Sequence, residues 1–287
     1  MIARLRDLLR IEPVRRAVRD KTQRAVGEVV EPLHDEHAER LERLEREVAE
    51  LRAKDLPELR ELLSGQQREL LDRLVEFEVR TRRDIVYASD VDTTRDTGRF
   101  VAEQMPGARR FAHPHETLRY ALSLAPQGGM ALEFGVYRGE TLRVIAGERT
   151  GAVYGFDSFQ GLPEDWRLDF PAGTFDVDGL PSVDGAELVV GWFAETLPGF
   201  LDAHQAPVDF LHVDGDLYSS ARTVLDLVGP RLRPGSVVVF DEFFNFPGWR
   251  DHEYRAWQEY VARTGTRFGY EAYTYSDEQV VVRITAE

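Results

Sequence analysis

The sequence predicts an α/β fold: a mainly parallel sheet of seven strands with helices on both faces, closing in a C-terminal antiparallel hairpin and preceded by an N-terminal helical segment. Three observations predict it. From residue 111 onward, short apolar runs rich in β-branched and aromatic residues alternate with helical stretches. The last two runs are separated by little more than YSDE, too short for a crossover helix, so they pair as a hairpin. Residues 1–90, by contrast, are dense in Arg, Glu, Leu and Ala and read as helix.

The bulk properties agree. A chain of 287 residues, 43% hydrophobic, can bury a sizeable core. It has no cysteine, which excludes disulfides, thiolate metal sites and cysteine nucleophiles. The formal net charge of −15 argues against nucleic acid as a partner, since that needs a basic face. No run approaches the roughly 18 apolar residues of a membrane span, and the opening residues lack the features of a signal peptide. The location expected is cytoplasmic.

Residues 1–30 hold eight basic and four acidic side chains, a net +4, leaving −19 for the rest. Ile2, Leu5, Leu9, Val14, Val18 and Val29 recur there at roughly helical spacing. Both a solvated amphipathic helix and one lying peripherally on a membrane surface have this pattern. Leu41, Leu44, Val48 and Leu51 then follow 3-4-3 spacing, a coiled-coil seam two heptads long. Asp55 and Pro57 interrupt it and read as the start of a second helix reaching about Ile85. A coiled coil that makes a homo-oligomer and a helical hairpin packed on itself both fit. Residues 91–110, beginning VDTTRDTGRF, read as a linker to a domain spanning 111–287.

Within that domain the strands expected are 130–136, 152–156, 187–193, 208–213, 236–240, 270–275 and 279–284. The helices between them are expected at 115–124, 139–147, 195–204, 217–228 and 252–263. Open α/β sheets bind ligands beyond the carboxyl ends of their strands, so the residues there are the site candidates. The first strand runs into Glu133-Phe-Gly135-Val-Tyr-Arg-Gly139-Glu-Thr141, whose glycines permit tight turns and close backbone approach. The second ends at Asp157, followed by Ser158 and Phe159. An acid at this point either accepts ribose hydroxyls or caps a turn. The fourth ends in His212-Val-Asp214-Gly-Asp216 and the fifth in Asp241-Glu242. Carboxylates converging from adjacent strands repel one another, and a hard divalent cation relieves this with oxygen ligands.

The segments EFGVYRGET, GFDSFQGLPEDW, VVGWFAETLP, DFLHVDGDLYSS and RPGSVVVFDEF, in this order, resemble the class I S-adenosylmethionine-dependent methyltransferases, and within them the macrocin O-methyltransferase-like family. The resemblance covers about residues 100–287. It implies a Rossmann-like methyltransferase sheet of seven strands with the last antiparallel, and O-methylation of sugar hydroxyls. It also implies S-adenosyl-L-methionine as cofactor, with Mg²⁺. Glu133, Gly135 and Gly139, with Thr141 in the same loop, would then line the methionine end of the cofactor. Asp157 would hold the ribose, beside Ser158 and Phe159, and Trp192 and Phe193 would lie on the adenine side. Asp214, Asp241 and Glu242 match the metal positions, with Asp214 also next to the cofactor, and Asp216 matches the general base. Two departures mark a divergent branch: Asp241-Glu242 stands where sugar enzymes of the family usually carry Asp-Asp, and the aromatic run 243–254 replaces a glycine-richer one.

Methyl transfer to a sugar or glycan hydroxyl needs that weak nucleophile activated, by a cation that lowers its pKa and by a base. His252, at the start of a helix near the site, is a second candidate base, whereas His212 in a strand reads as a core histidine with satisfied partners. Gly161–Gly185, rich in Gly, Pro and Asp, reads either as a lid or as a surface insertion. Two other functions remain open on the residues alone. One is an inactive methyltransferase-like scaffold acting through its N-terminal helices; the other is a metal-dependent hydroxylase on the same fold.

Overall fold

The computed structural model describes the backbone of residues 2–286 and the side chains of residues 12–286. The chain divides after Arg83 into two compact units. The first is helical throughout: α1 (Ile2–Glu50), one π-helical turn (Leu51–Asp55) and α2 (Leu56–Arg83). The hairpin alternative does not form, because Glu50 and Leu56 both keep helical backbone angles and the chain runs on. Pro57 has no N–H to give the carbonyl of Ala53, and its ring crowds that carbonyl; the wider turn just before it accommodates both. Of the apolar positions in residues 1–30, Ile2, Leu5 and Leu9 lie outside the described side chains, while Val14, Val18 and Val29 are exposed. No helix among the described residues is long and apolar enough to cross a membrane.

The second unit opens on α3 (Ile85–Gln104), capped by the Asp84 carboxylate, which accepts the N–H groups of Val86 and Tyr87. This corrects the linker expected at 91–110. The polar stretch is helix to Gln104 because Thr97 and Phe100 are buried. Phe100 packs edge-on against Trp249, Tyr254 and Tyr270 at 5.3, 5.6 and 6.0 Å. Tertiary burial outweighs local composition here.

Among the described residues, eight strands form one sheet: β1 (Arg109–Phe111), β2 (Met130–Phe134), β3 (Val153–Asp157), β4 (Glu187–Val190), β5 (Val208–Val213), β6 (Leu232–Phe240), β7 (Phe268–Thr274) and β8 (Val280–Ile284). Their order is β1-β7-β8-β6-β5-β2-β3-β4. The seven expected strands are β2 to β8, with β8 antiparallel to both β6 and β7. The eighth, β1, is a three-residue edge strand parallel to β7 and too short to show a pattern in sequence. The helices are α4 (Pro114–Leu124), α5 (Glu140–Glu148), α6 (Phe193–Ala203), α7 (Tyr218–Val228) and α8 (Glu253–Thr264).

Alternation along the strands serves two cores. Leu132, Phe134, Leu211, Val213, Val238 and Phe240 pack with α6, α7 and α8. Ala131, Phe210, Val237 and Val239 pack on the other face with α4 and α5. From β1 at one edge the chain crosses to β2, builds outward to β4, then returns to place β5 on the far side of β2. That reversal opens a crevice beyond the carboxyl ends of β2 and β5.

Phe100→Ala is expected to destabilise the second unit by about 3 kcal/mol, the usual cost of truncating a buried aromatic. Chemical denaturation of the full chain checks this, and a change below about 0.5 kcal/mol would restore the linker reading.

Candidate active site

A cavity of about 620 Å³ lies at this crevice, within the range of small-molecule sites. Residues following β2, β3, β4, β5 and β6 line it: Gly135 and Thr141, Asp157 and Ser158, Trp192 and Phe193, Asp214 and Asp216, and Glu242.

The loop after β2 is shaped by two interactions. Gly135 has φ of +100°, and a Cβ there would stand 1.7 Å from the carbonyl oxygen of Asp214. Only glycine lets the β2 and β5 loops approach so closely. The Asp157 carboxylate then ties β3 to the same loop. Its Oδ2 accepts the N–H groups of Val136 and Tyr137, both at 2.8 Å, and its Oδ1 accepts that of Phe159 at 2.7 Å. Asp157 is thus a cap, and it also borders the cavity with the acceptor capacity the backbone leaves unused. Tyr137, Phe159 and Asp216 have left-handed backbones at φ 47°, 56° and 58°, a local strain concentrated where strands end at the site.

The acidic residues of β2, β5 and β6 meet behind the cavity floor. His212 is cross-strand neighbour to Glu133 and is buried between two carboxylates. Its Nδ1 lies 2.9 Å from Glu133 Oε1, and its Nε2 lies 3.4 Å from Asp241 Oδ1. Burial works against its proton, but Asp241 and Glu133 outweigh that and raise its pKa well above the ordinary value. That direction favours the protonated ring, poised between the two carboxylates. In return, although burial acts to raise Asp241, the contact with His212 prevails and holds its pKa below the usual carboxyl value.

The other acids are pushed the opposite way. Burial, reinforced by the neighbouring Asp241, raises Asp214 and Glu253 well above their ordinary values and brings Asp216 to about 7. Burial and the adjacent Asp216 do the same for Glu242. Glu253 accepts the backbone N–H of Glu242 at 3.0 Å through one oxygen, and its other oxygen has no hydrogen-bond partner. Glu242 Oε2 is likewise buried without a partner. One ligand atom each from His212, Asp214 and Asp241 falls within 4.8 Å of the others. Asp214 and Asp241 supply oxygen donors to this cluster, and Glu242, the third expected ligand, lies beside Asp241 on the cavity lining. Crowded, buried and under-bonded carboxylates fit a hard divalent ion.

Several expected site residues stand elsewhere. Glu133 does not line the cavity; it is fully buried on His212, where parallel strand register places it. Gly139 faces Val183 and Pro181 rather than the cavity. Phe159 turns into the α4/α5 core and offers only its N–H to Asp157. Asp241 lies behind the lining beside His212, and His252 does not border the cavity. His252 is half-buried with Nδ1 unpaired, its ring 5.4 Å from that of Phe246, and burial lowers its pKa. Sequence reasoning missed Ser219, Ser220 and Thr223, which line the cavity from α7. Their signal was the pair of serines directly after the Asp-Gly-Asp turn. It also missed Glu253, which nothing local distinguishes from an ordinary first-turn acid.

Residues 161–185 dock onto the cavity. Arg167 makes a two-pronged contact with Glu278 at 2.9 and 3.0 Å and lies over the Trp166 ring at 3.9 Å. Glu164 accepts a hydrogen bond from Ser219, and Gly161, Leu162, Pro163 and Phe175 face the cavity. Phe243, Phe244, Phe246 and Trp249 are core residues and take no part in the lining.

Asp216 sets a pH dependence. Between the ordinary carboxyl value of 3.8 and about 7, the folded chain holds a proton that the unfolded chain has released. Stability in chelator therefore falls as pH rises through this window. Thermal unfolding in EDTA is expected to show this, with a shallower slope for Asp216→Asn; equal slopes would contradict the assignment.

Comparison with known proteins places this geometry. Residues 132–243 match the model of a methyltransferase domain family. The chain is 30% identical, over 54% of its length and 68% of the relative's, to the 8-demethyl-8-(2,3-dimethoxy-alpha-L-rhamnosyl)-tetracenomycin-C 4'-O-methyltransferase of Streptomyces olivaceus. It is 29% identical to the mycinamicin III 3''-O-methyltransferase of Micromonospora griseorubida, over 60% of this chain and 78% of that one. It is 27% identical to the demethyldecarbamoylnovobiocin O-methyltransferase of Streptomyces niveus, over 61% and 76%. With the crevice at β2 and β5, the glycine loop and the acid-tipped strands in the matched region, the chain belongs to the class I S-adenosylmethionine-dependent O-methyltransferases.

Proposed function

We propose that this enzyme methylates a hydroxyl of a sugar, glycan or glycosylated natural product, with a Mg²⁺-like cation held by Asp214, Asp241 and Glu242. One observation carries the reading: a single cavity is bordered both by Asp157 and by three crowded acids, part-buried Asp214 and buried Asp216 and Glu242. The relative from Streptomyces olivaceus is named for a rhamnosyl-bearing substrate, which supports a sugar hydroxyl here.

S-adenosylmethionine supplies a methyl group on a positively charged sulfur, and the cation supplies charge that makes a hydroxyl easier to deprotonate. The protein's residues do the rest. Asp157 accepts from the ribose hydroxyls while its backbone bonds keep it fixed. Trp192 and Phe193 provide the aromatic wall on the adenine side, and Gly135 and Thr141 border the methionine side. Asp216 takes the proton of the acceptor hydroxyl, its buried carboxylate having the raised proton affinity that suits a base near neutral pH. Leu162, Pro163 and Phe175 shield the reaction from water. The exposed leucines of the N-terminal unit join copies of the chain into an oligomer.

Calorimetry with S-adenosylhomocysteine tests the reading. The wild-type chain is expected to bind, and Asp157→Ala to weaken binding by more than about tenfold, the worth of one or two lost hydrogen bonds to a charged group. Absence of wild-type binding would favour an inactive scaffold. Asp214→Ala is expected to abolish activation by Mg²⁺ while leaving product binding within about twofold. Full activity of the wild type in EDTA would refute the cation. Turnover only with Fe²⁺ and an oxidising cosubstrate would favour a hydroxylase.

A further inference from the structure

The N-terminal unit carries a stripe of large apolar side chains that stay about half exposed: Leu41 60%, Leu44 48%, Val48 42% and Leu51 51%. These occupy positions a, d, a and d of a heptad repeat. Continued strictly, the repeat would put Asp55 and Glu58 on the seam. Shifted by one residue, it puts Leu56, Leu59 and Leu63 there, followed by Gln66 and Leu70.

The helix makes that shift. Leu51–Asp55 is one π-helical turn, and the N–H of Leu56 bonds the carbonyl of Leu51, five residues back. Such a turn takes up one extra residue, so the leucines before and after it fall on one stripe. The seam then runs through four heptads, the length at which heptads argue for a coiled coil.

The flanking charges say what covers it. With the shift included, Arg40, Glu47 and Asp55 hold g positions, and Glu45, Arg52 and Arg60 hold e positions. In a parallel, in-register pair each g residue faces the e residue five positions later on the other helix. Arg40 then meets Glu45, Glu47 meets Arg52, and Asp55 meets Arg60, and all three pairs are of opposite sign. We infer that residues 41–70 form a parallel, in-register, two-stranded coiled coil with a second copy of this chain, and that the π turn acts as the splice keeping one seam across the interruption. The inference rests on the oligomer reading given above and is independent of the methyl-transfer chemistry.

The absence of native cysteine makes the test clean. Leu44→Cys, at a d position, is expected to form a disulfide-linked dimer of the full chain on mild oxidation, whereas Glu42→Cys, on the outer face, is not. Glu47→Arg is expected to raise the dimer dissociation constant severalfold, and the double variant Glu47→Arg/Arg52→Glu to restore it. Light scattering of the wild-type chain separates the ways of failing. A monomer at micromolar concentration overturns the oligomer reading itself. A dimer that does not cross-link through position 44, or a trimer, overturns the parallel two-stranded arrangement alone.

Discussion

Three neighbouring parallel strands, β2, β5 and β6, carry acids at or just beyond their carboxyl ends, and the fold tolerates this because His212 stands between two of them. Its two ring nitrogens reach buried Glu133 and part-buried Asp241, so a proton on the ring is stabilised from both sides. Without that contact, desolvation and repulsion would neutralise both acids or drive the strand ends apart. Asp241 in turn sets the electrostatics of the site. His212 holds its pKa down, and its charge adds to burial in raising the proton affinity of Asp214, Asp216 and Glu253.

The crevice geometry depends on a different kind of fit. Gly135 is the point at which the loops after β2 and β5 touch, and Asp157 fastens the loop after β2 to the end of β3. Three strand ends are thereby fixed relative to one another before any ligand enters. Such preorganisation lets a displacement at carbon proceed without rearranging the protein. The segment at 161–185 adds a cover anchored at Glu278 and Ser219, two distant points of the same unit.

Much of this was legible along the chain, and what was not has a common origin. The seven longer strands and five domain helices show as apolar runs or periodic patterns because each packs apolar side chains against the cores. α3 does not, since its main tertiary anchor is the aromatic nest at Phe100, made by residues some 150 positions later. β1 is too short to carry a pattern. Asp214, Asp216 and Glu242 were locatable because a strand end is a local feature. That Glu133 serves His212 rather than the cavity depends on the register of two strands 79 residues apart. His252 does not border the cavity for a similar reason: proximity in sequence to the site does not fix where a side chain lies.

Residue order alone specifies the alternation from β2 to β8, the glycine turn after β2, the acids at the strand ends, and the absence of thiol chemistry. These follow from residue type and spacing, which act over a few positions. Packing in three dimensions sets which carboxylates flank His212, which face the cavity, that residues 91–104 belong to the folded domain, and that a π turn interrupts the N-terminal helix. Those outcomes depend on burial and on register between distant segments. Charge state and packing are properties of a three-dimensional neighbourhood that no stretch of chain contains.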